Sequence, residues 1–123
     1  MSMNRNLRAL VEATERDMSR ANLRGVNFAD ADFADAYLQG AKFSGADFQT
    51  AFLGGAEFQA ADFVGSDFTG ADFTNAILVD VDFRNASLTR AKFSNASLRG
   101  ADFSSADDLD KAIWPKGYRL VKE

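Results

Sequence analysis

The chain contains no cysteine and no histidine, and only one proline among its 123 residues. Without cysteine there are no disulfides, no thiolate nucleophile and no Cys-ligated zinc. Without histidine the commonest general base and the commonest metal ligand are both gone. Catalysis would have to rest on carboxylates, hydroxyls and lysine, so most catalytic triads and transition-metal sites are excluded. No apolar run approaches the ~20 residues needed to span a membrane, and Met1–Arg20 carries charges throughout instead of an apolar signal core. A soluble, cytoplasmic protein without membrane contact is expected. Tyrosine and tryptophan are scarce, two and one, yet phenylalanine occurs twelve times. That imbalance calls for a structural cause.

The cause is a repeat of five. From Ala21 to Ser105 the chain divides into seventeen consecutive pentads without insertion or deletion. The first residue is Ala in fourteen, Val26 and Val81 in two, and Ser66 in one. The third residue is Phe in eleven and Leu in six, and the fifth is Gly, Asn or Asp in thirteen. A helix advances about 500° in five residues, which would scatter the Phe side chains around every side. A flat strand would place successive Phe on opposite faces. A chain that turns one corner per pentad satisfies the pattern. The first and third residues then point inward, the rest point out, and the fifth adopts the positive φ that Gly, Asn and Asp tolerate.

These residues, as A(D/N)(L/F)XX, resemble the pentapeptide-repeat family over 85 of the 123 residues. The resemblance implies an all-β solenoid, a right-handed quadrilateral β-helix with four pentads per coil and about four coils. The expected organisation is an N-terminal capping helix in residues 1–20, the β-helix in 21–105, and a C-terminal cap or dimer-contact segment in 106–123. Within residues 4–19, Leu7, Leu10, Val11, Thr14 and Met18 fall on one helical face. After Ser105 the register gains one residue, and Asp107 or Asp108 is placed to cap a short helical turn before Ile113 and Trp114. Ile113, Trp114, Tyr118 and Leu120 form either a lid over the last Phe layer or a dimer contact. Pairing through C-terminal ends is what the resemblance adds, leaving monomer and C-terminal homodimer both open.

Residues twenty apart stack on one face, so Asp62, Asp82 and Asp102 should form one carboxylate ladder and Asp47 and Asp67 another. A general acid–base pair or a calcium site is the chemical reading of such ladders. Asp is the family's ordinary choice at this position, however, and a convex rod offers no cleft. No catalysis, cofactor or metal is expected. Residues 21–82 carry ten Asp/Glu and two Lys/Arg, a net of −8, whereas 83–105 carry four Lys/Arg and one Asp, a net of +3. A net acidic rod argues against direct nucleic-acid binding. It invites comparison with duplex DNA, because the resemblance extends to fluoroquinolone-resistance proteins that mimic DNA and occupy DNA gyrase. The last anomaly is apolar residues at outward positions: Tyr37, Ile77 and Val79 on one face and Phe52 on the adjoining one. The leading expectation is a non-enzymatic scaffold binding a partner protein through these residues, with DNA mimicry toward gyrase as the alternative.

Overall fold

The computed structural model describes residues 18–120. Residue i pairs in parallel with residue i+20, so four pentads complete one coil; the last bridge, Lys92–Ile113, spans 21 residues. Four ladders of single β-bridges run along the molecule. The first joins Asn22, Lys42, Asp62, Asp82 and Asp102, and the second joins Asn27, Asp47, Asp67, Ser87 and Asp107. The third joins Asp32, Phe52, Asp72, Lys92 and Ile113, and the fourth joins Tyr37, Glu57, Ile77 and Ser97. Each ladder marks one face of a β-solenoid. A side only one bridged residue wide is too short to form an extended strand, so the sheet lies wholly along the axis.

Burial follows the pentad. Apart from the end coils, first and third residues are nearly or fully inaccessible; Phe33, Phe43, Phe48, Phe58, Phe63, Phe68, Phe73, Phe83 and Phe93 are all at 0%. The third residues form four columns, one per face. Phe28, Phe48 and Phe68 stack at 5.0 Å in one column, and Phe73, Phe93 and Trp114 stack at 5.0 and 4.8 Å in another. Rings of neighbouring columns meet mostly edge to face, as in Phe63–Phe68 at 4.8 Å and 79°. The two geometries are those favoured by the aromatic quadrupole. Burying each such side chain contributes about 1.5–3 kcal/mol. Ser66 takes an alanine position without leaving an orphan hydroxyl, since its Oγ donates to the Phe43 carbonyl at 2.8 Å.

Every corner from residue 20 to residue 105 has positive φ at the fifth position, glycine or not. The N–H of the next residue closes each turn on the carbonyl three back, for example Ala31 to Phe28 at 2.9 Å. A left-handed residue at the third place of a four-residue turn is the requirement of type II. Non-glycine residues such as Ala60, at φ 61°, and Thr50, at φ 57°, are therefore held in a region they disfavour.

Met18, Ser19 and Arg20 do not close a helix, as the sequence suggested. Met18 is buried at 9% in the inner position, its N–H bonds the Tyr37 carbonyl, and Arg20 forms a corner at φ 63°. The repeat thus extends one partial pentad ahead of Ala21, because Met fills the inner position as Leu does. The rest of the expected helix, residues 4–17, lies outside the described residues. At the other end, the added residue makes a six-residue side, Ala106–Lys111, containing a 3-10 helix, Leu109–Lys111. Asp108 precedes it in a left-handed conformation and makes no side-chain cap. Its carboxylate instead accepts from Thr89 Oγ1 at 2.5 Å and lies 3.8 Å from Lys111 Nζ. Among the described residues no helix is long and apolar enough to cross a membrane.

Candidate functional site

The outer surface follows from an accounting of backbone donors. Within a middle pentad, the N–H groups of the first, second, third and fifth residues all reach backbone carbonyls, of the preceding turn or of adjacent coils. The fourth N–H has no such partner. It is met by the second residue's own side chain wherever that residue is Asp or Asn: Asn22, Asn27, Asp32, Asp47, Asp62, Asp67, Asp72, Asp82 and Asp102 each accept from the N–H two residues on. An Asx turn satisfies a group that would otherwise be orphaned. This is the physical reason for the motif's second letter.

Asp62, Asp82 and Asp102 pair along the first face, and Asp47 and Asp67 along the second. Their oxygens are engaged locally. Thr69 and Ser104 hydroxyls add second bonds to Asp67 and Asp102 at 2.7 and 2.6 Å. Arg84 clamps Asp82 in two-point fashion, Nε to Oδ1 at 2.9 Å and Nη2 to Oδ2 at 2.8 Å. The bound guanidinium holds the Asp82 carboxyl below the usual carboxylate range, and the Ser104 hydroxyl, with its N–H, does the same for Asp102. These carboxylates are held as anions, the opposite of what a general acid needs. Among the described residues no three metal-ligating side chains cluster.

The anomalous residues lie on the third and fourth faces. Phe52 is 57% and Tyr37 46% exposed, whereas Ile77 and Val79 are half-buried. Tyr37 and Ile77 flank Glu57 on the fourth ladder, and Phe52 stands between Asp32 and Asp72 on the third. Sequence reasoning missed the consequence for the backbone. With Tyr, Phe, Glu and Ile at the second position, the N–H groups of Gln39, Gly54, Gln59 and Val79 have no acceptor among the described residues. The signal was available in the departures from Asp or Asn, once the role of that side chain is known. Glu57 is gripped by the amides of Gln39 and Gln59, at 3.1 and 3.4 Å, and the buried Gln59 Oε1 has no partner.

The C-terminal residues divide. Trp114 stacks on Phe93, meets Phe103 edge-on at 5.1 Å, and donates its Nε1 proton to the Leu109 carbonyl at 2.9 Å. Tyr118 stacks on Trp114 at 5.3 Å, and its burial raises its hydroxyl pKa. Both therefore form a lid over the core. Ile113 and Leu120 remain exposed at 50% and 39%.

Comparison with known proteins bears on the whole described rod. The family of pentapeptide repeats matches in eight copies, over residues 17–55, 36–75, 53–90 and 66–105. A pentapeptide repeat protein of Nostoc PCC 7120 has a similar structure, with a TM-score of 0.55, 28% identity, and coverage of 98% of this chain and 91% of that one. One from the cyanobacterium Cyanothece 51142 gives 0.58 at 18% identity, covering 89% and 99%. One from the thylakoid lumen of Arabidopsis thaliana gives 0.55 at 24%, covering 78% and 64%. No curated protein matches the chain in sequence.

Proposed function

Because the chain belongs to the pentapeptide-repeat family, we propose that it is a non-enzymatic scaffold, a rigid rod that binds a partner protein through its outer faces. The residues assigned to that contact are Tyr37, Phe52, Ile77 and Val79. The observation that carries the reading is Phe52. The other eleven Phe sit at third positions and pack with the core, whereas Phe52 stands 57% exposed between Asp32 and Asp72 on the third ladder. A large exposed aromatic on a rigid surface is a typical interface anchor. The finer architecture adopted with this reading is a right-handed quadrilateral of about four coils closed at its N-terminal end by a helix. The chain is assigned to the cytoplasm.

DNA mimicry toward gyrase takes second place. It draws on the −8 of residues 21–82. Folded, that charge is interrupted: the first ladder includes Lys42, and Asp82 is neutralised by Arg84. A continuous phosphate-like array needs neither.

The scaffold reading is tested by affinity capture with full-length protein and with a Phe52→Ser/Ile77→Ser variant. The partner recovered by the wild type should be lost with the variant, while circular dichroism and melting stay unchanged. Equal recovery by a folded variant removes the assignment.

A further inference from the structure

The surface around Phe52 and Tyr37 has three properties that belong to one class of ligand. Its two exposed rings, 57% and 46% accessible, sit one corner apart on adjoining faces. Asp35 lies at that corner and Glu57 bridges to Tyr37, with no cation among the described residues beside either on its ladder or corner, while Asp72 bridges to Phe52 on one side and to Lys92 on the other. None of these three carboxylates is in an ion pair; the ion pairs among the described residues are Arg84–Asp82 and Lys111–Asp108. The N–H groups of Gln39, Gly54 and Gln59, on the same surface, lack acceptors among the described residues.

Each property asks for a different part of the same molecule. Uncompensated carboxylates attract cations. Exposed aromatic faces beside them favour a guanidinium, which stacks on a ring while bonding a carboxylate in its own plane. Outward N–H groups ask for carbonyl oxygens, which an extended backbone supplies at regular intervals. The corner itself is low. Gly54 and Gly55 put no side chain of their own between the rings; a Cβ on Gly54 would come 3.2 Å from the Thr74 carbonyl, and the Asp35 carboxylate lies over Gly55, so the surface there is backbone topped by one carboxylate. A chain can lie across it.

The geometry points to an extended, arginine-bearing peptide segment as the occupant of this surface, with guanidinium groups over Phe52 and Tyr37 and backbone carbonyls facing the free N–H groups. This rests on the reading of the same residues as the partner contact and names the partner's chemistry. Arginine is preferred over lysine because a compact ammonium cannot stack.

The test is fluorescence anisotropy of three labelled peptides of one length with the full chain: alternating Arg-Ser, alternating Lys-Ser and alternating Gln-Ser. The Arg peptide should bind saturably below about 1 mM, more tightly than the Lys peptide, and weaken as salt rises from about 50 to 300 mM. Phe52→Leu and Tyr37→Leu, which keep apolar bulk and lose the aromatic face, should each weaken it about two- to five-fold. Asp67→Asn, an acid on the second face, should leave it unchanged. Absence of saturable Arg-peptide binding, or equal weakening by Asp67→Asn, overturns the proposal. So does full binding by both Leu variants. If the Gln peptide binds best and Phe52→Leu abolishes it, the basic chemistry fails while the partner surface survives. If the captured partner binds normally to the Phe52→Ser/Ile77→Ser variant, the broader reading fails as well.

Discussion

Replacing Asp62 separates the two roles a carboxylate can have on this rod. Asp62 is half-buried on the first face, between Lys42 and Asp82, and its Oδ1 accepts the Val64 N–H at 3.0 Å. That N–H has no backbone alternative. Asp62→Ala removes the acceptor and should cost about 1–2 kcal/mol. Asp62→Asn keeps an oxygen in the same place and changes only charge. Across a coil spacing of about 4.8 Å, a unit charge interacts by about 0.9 kcal/mol in water before salt screening. Repulsion from Asp82 and attraction to Lys42 oppose each other at that scale, so Asn should stay within about 0.5 kcal/mol of the parent. Equilibrium urea unfolding, followed by Trp114 fluorescence and far-ultraviolet circular dichroism, reads the difference. With a slope of about 1–3 kcal/mol per molar, the Ala variant should lower the midpoint by roughly 0.5–1 M, and the Asn variant should barely move it. Equal loss by both would mean that the charge matters and that the Asx-turn account is wrong.

Four further outcomes follow from corner geometry, pH and the lid. Ala60→Gly should raise stability by up to about 1 kcal/mol, since Ala60 sits at φ 61° where an L side chain is strained. Gly100→Ala should lower it by about 1–2 kcal/mol, because Gly100 has φ 75° and an added Cβ would lie 2.1 Å from Asp80 Oδ1; thermal melts check both. The Asp82 pKa is depressed by Arg84. Its contribution is therefore present above the ordinary value of 3.8 and lost as pH falls through the lower folded value, and Arg84→Gln should flatten that part of an acid-unfolding curve. The Tyr118 pKa is raised by burial. The lid should thus hold below the ordinary value of 10.0 and loosen as pH rises through the folded value, a change visible in Trp114 fluorescence.

Much of the fold was legible because the inner positions obey size and polarity alone. Seventeen Phe or Leu in phase, with Ala beside them, admit no helix and no flat strand. The corners were legible for a similar reason, since a positive φ leaves a mark in Gly, Asn and Asp. What escaped lay where local chemistry permits substitution. Met18 fills an inner position as well as Leu does, so the rod's start blurred into an expected helix. Asp108 sits at the right place for a helix cap, but Thr89 one coil below claims its carboxylate, a contact nineteen residues away in sequence. The surface was the least legible part. Tyr37 and Phe52 stood out as apolar, yet their main effect, the unmet N–H groups of Gln39 and Gly54, appears only when donors are counted in three dimensions.

Partner binding through the third and fourth faces is tested most directly by hydrogen–deuterium exchange of the complex with the captured partner. The N–H groups of Gln39, Gly54, Gln59 and Val79 have no acceptor among the described residues and should exchange fast in the free protein. In the complex they should slow together, while Ser44 and Thr89, equally unbonded on the first and second faces, stay fast. Protection confined to Ser44 and Thr89, with Gln39, Gly54, Gln59 and Val79 unchanged, would contradict the account.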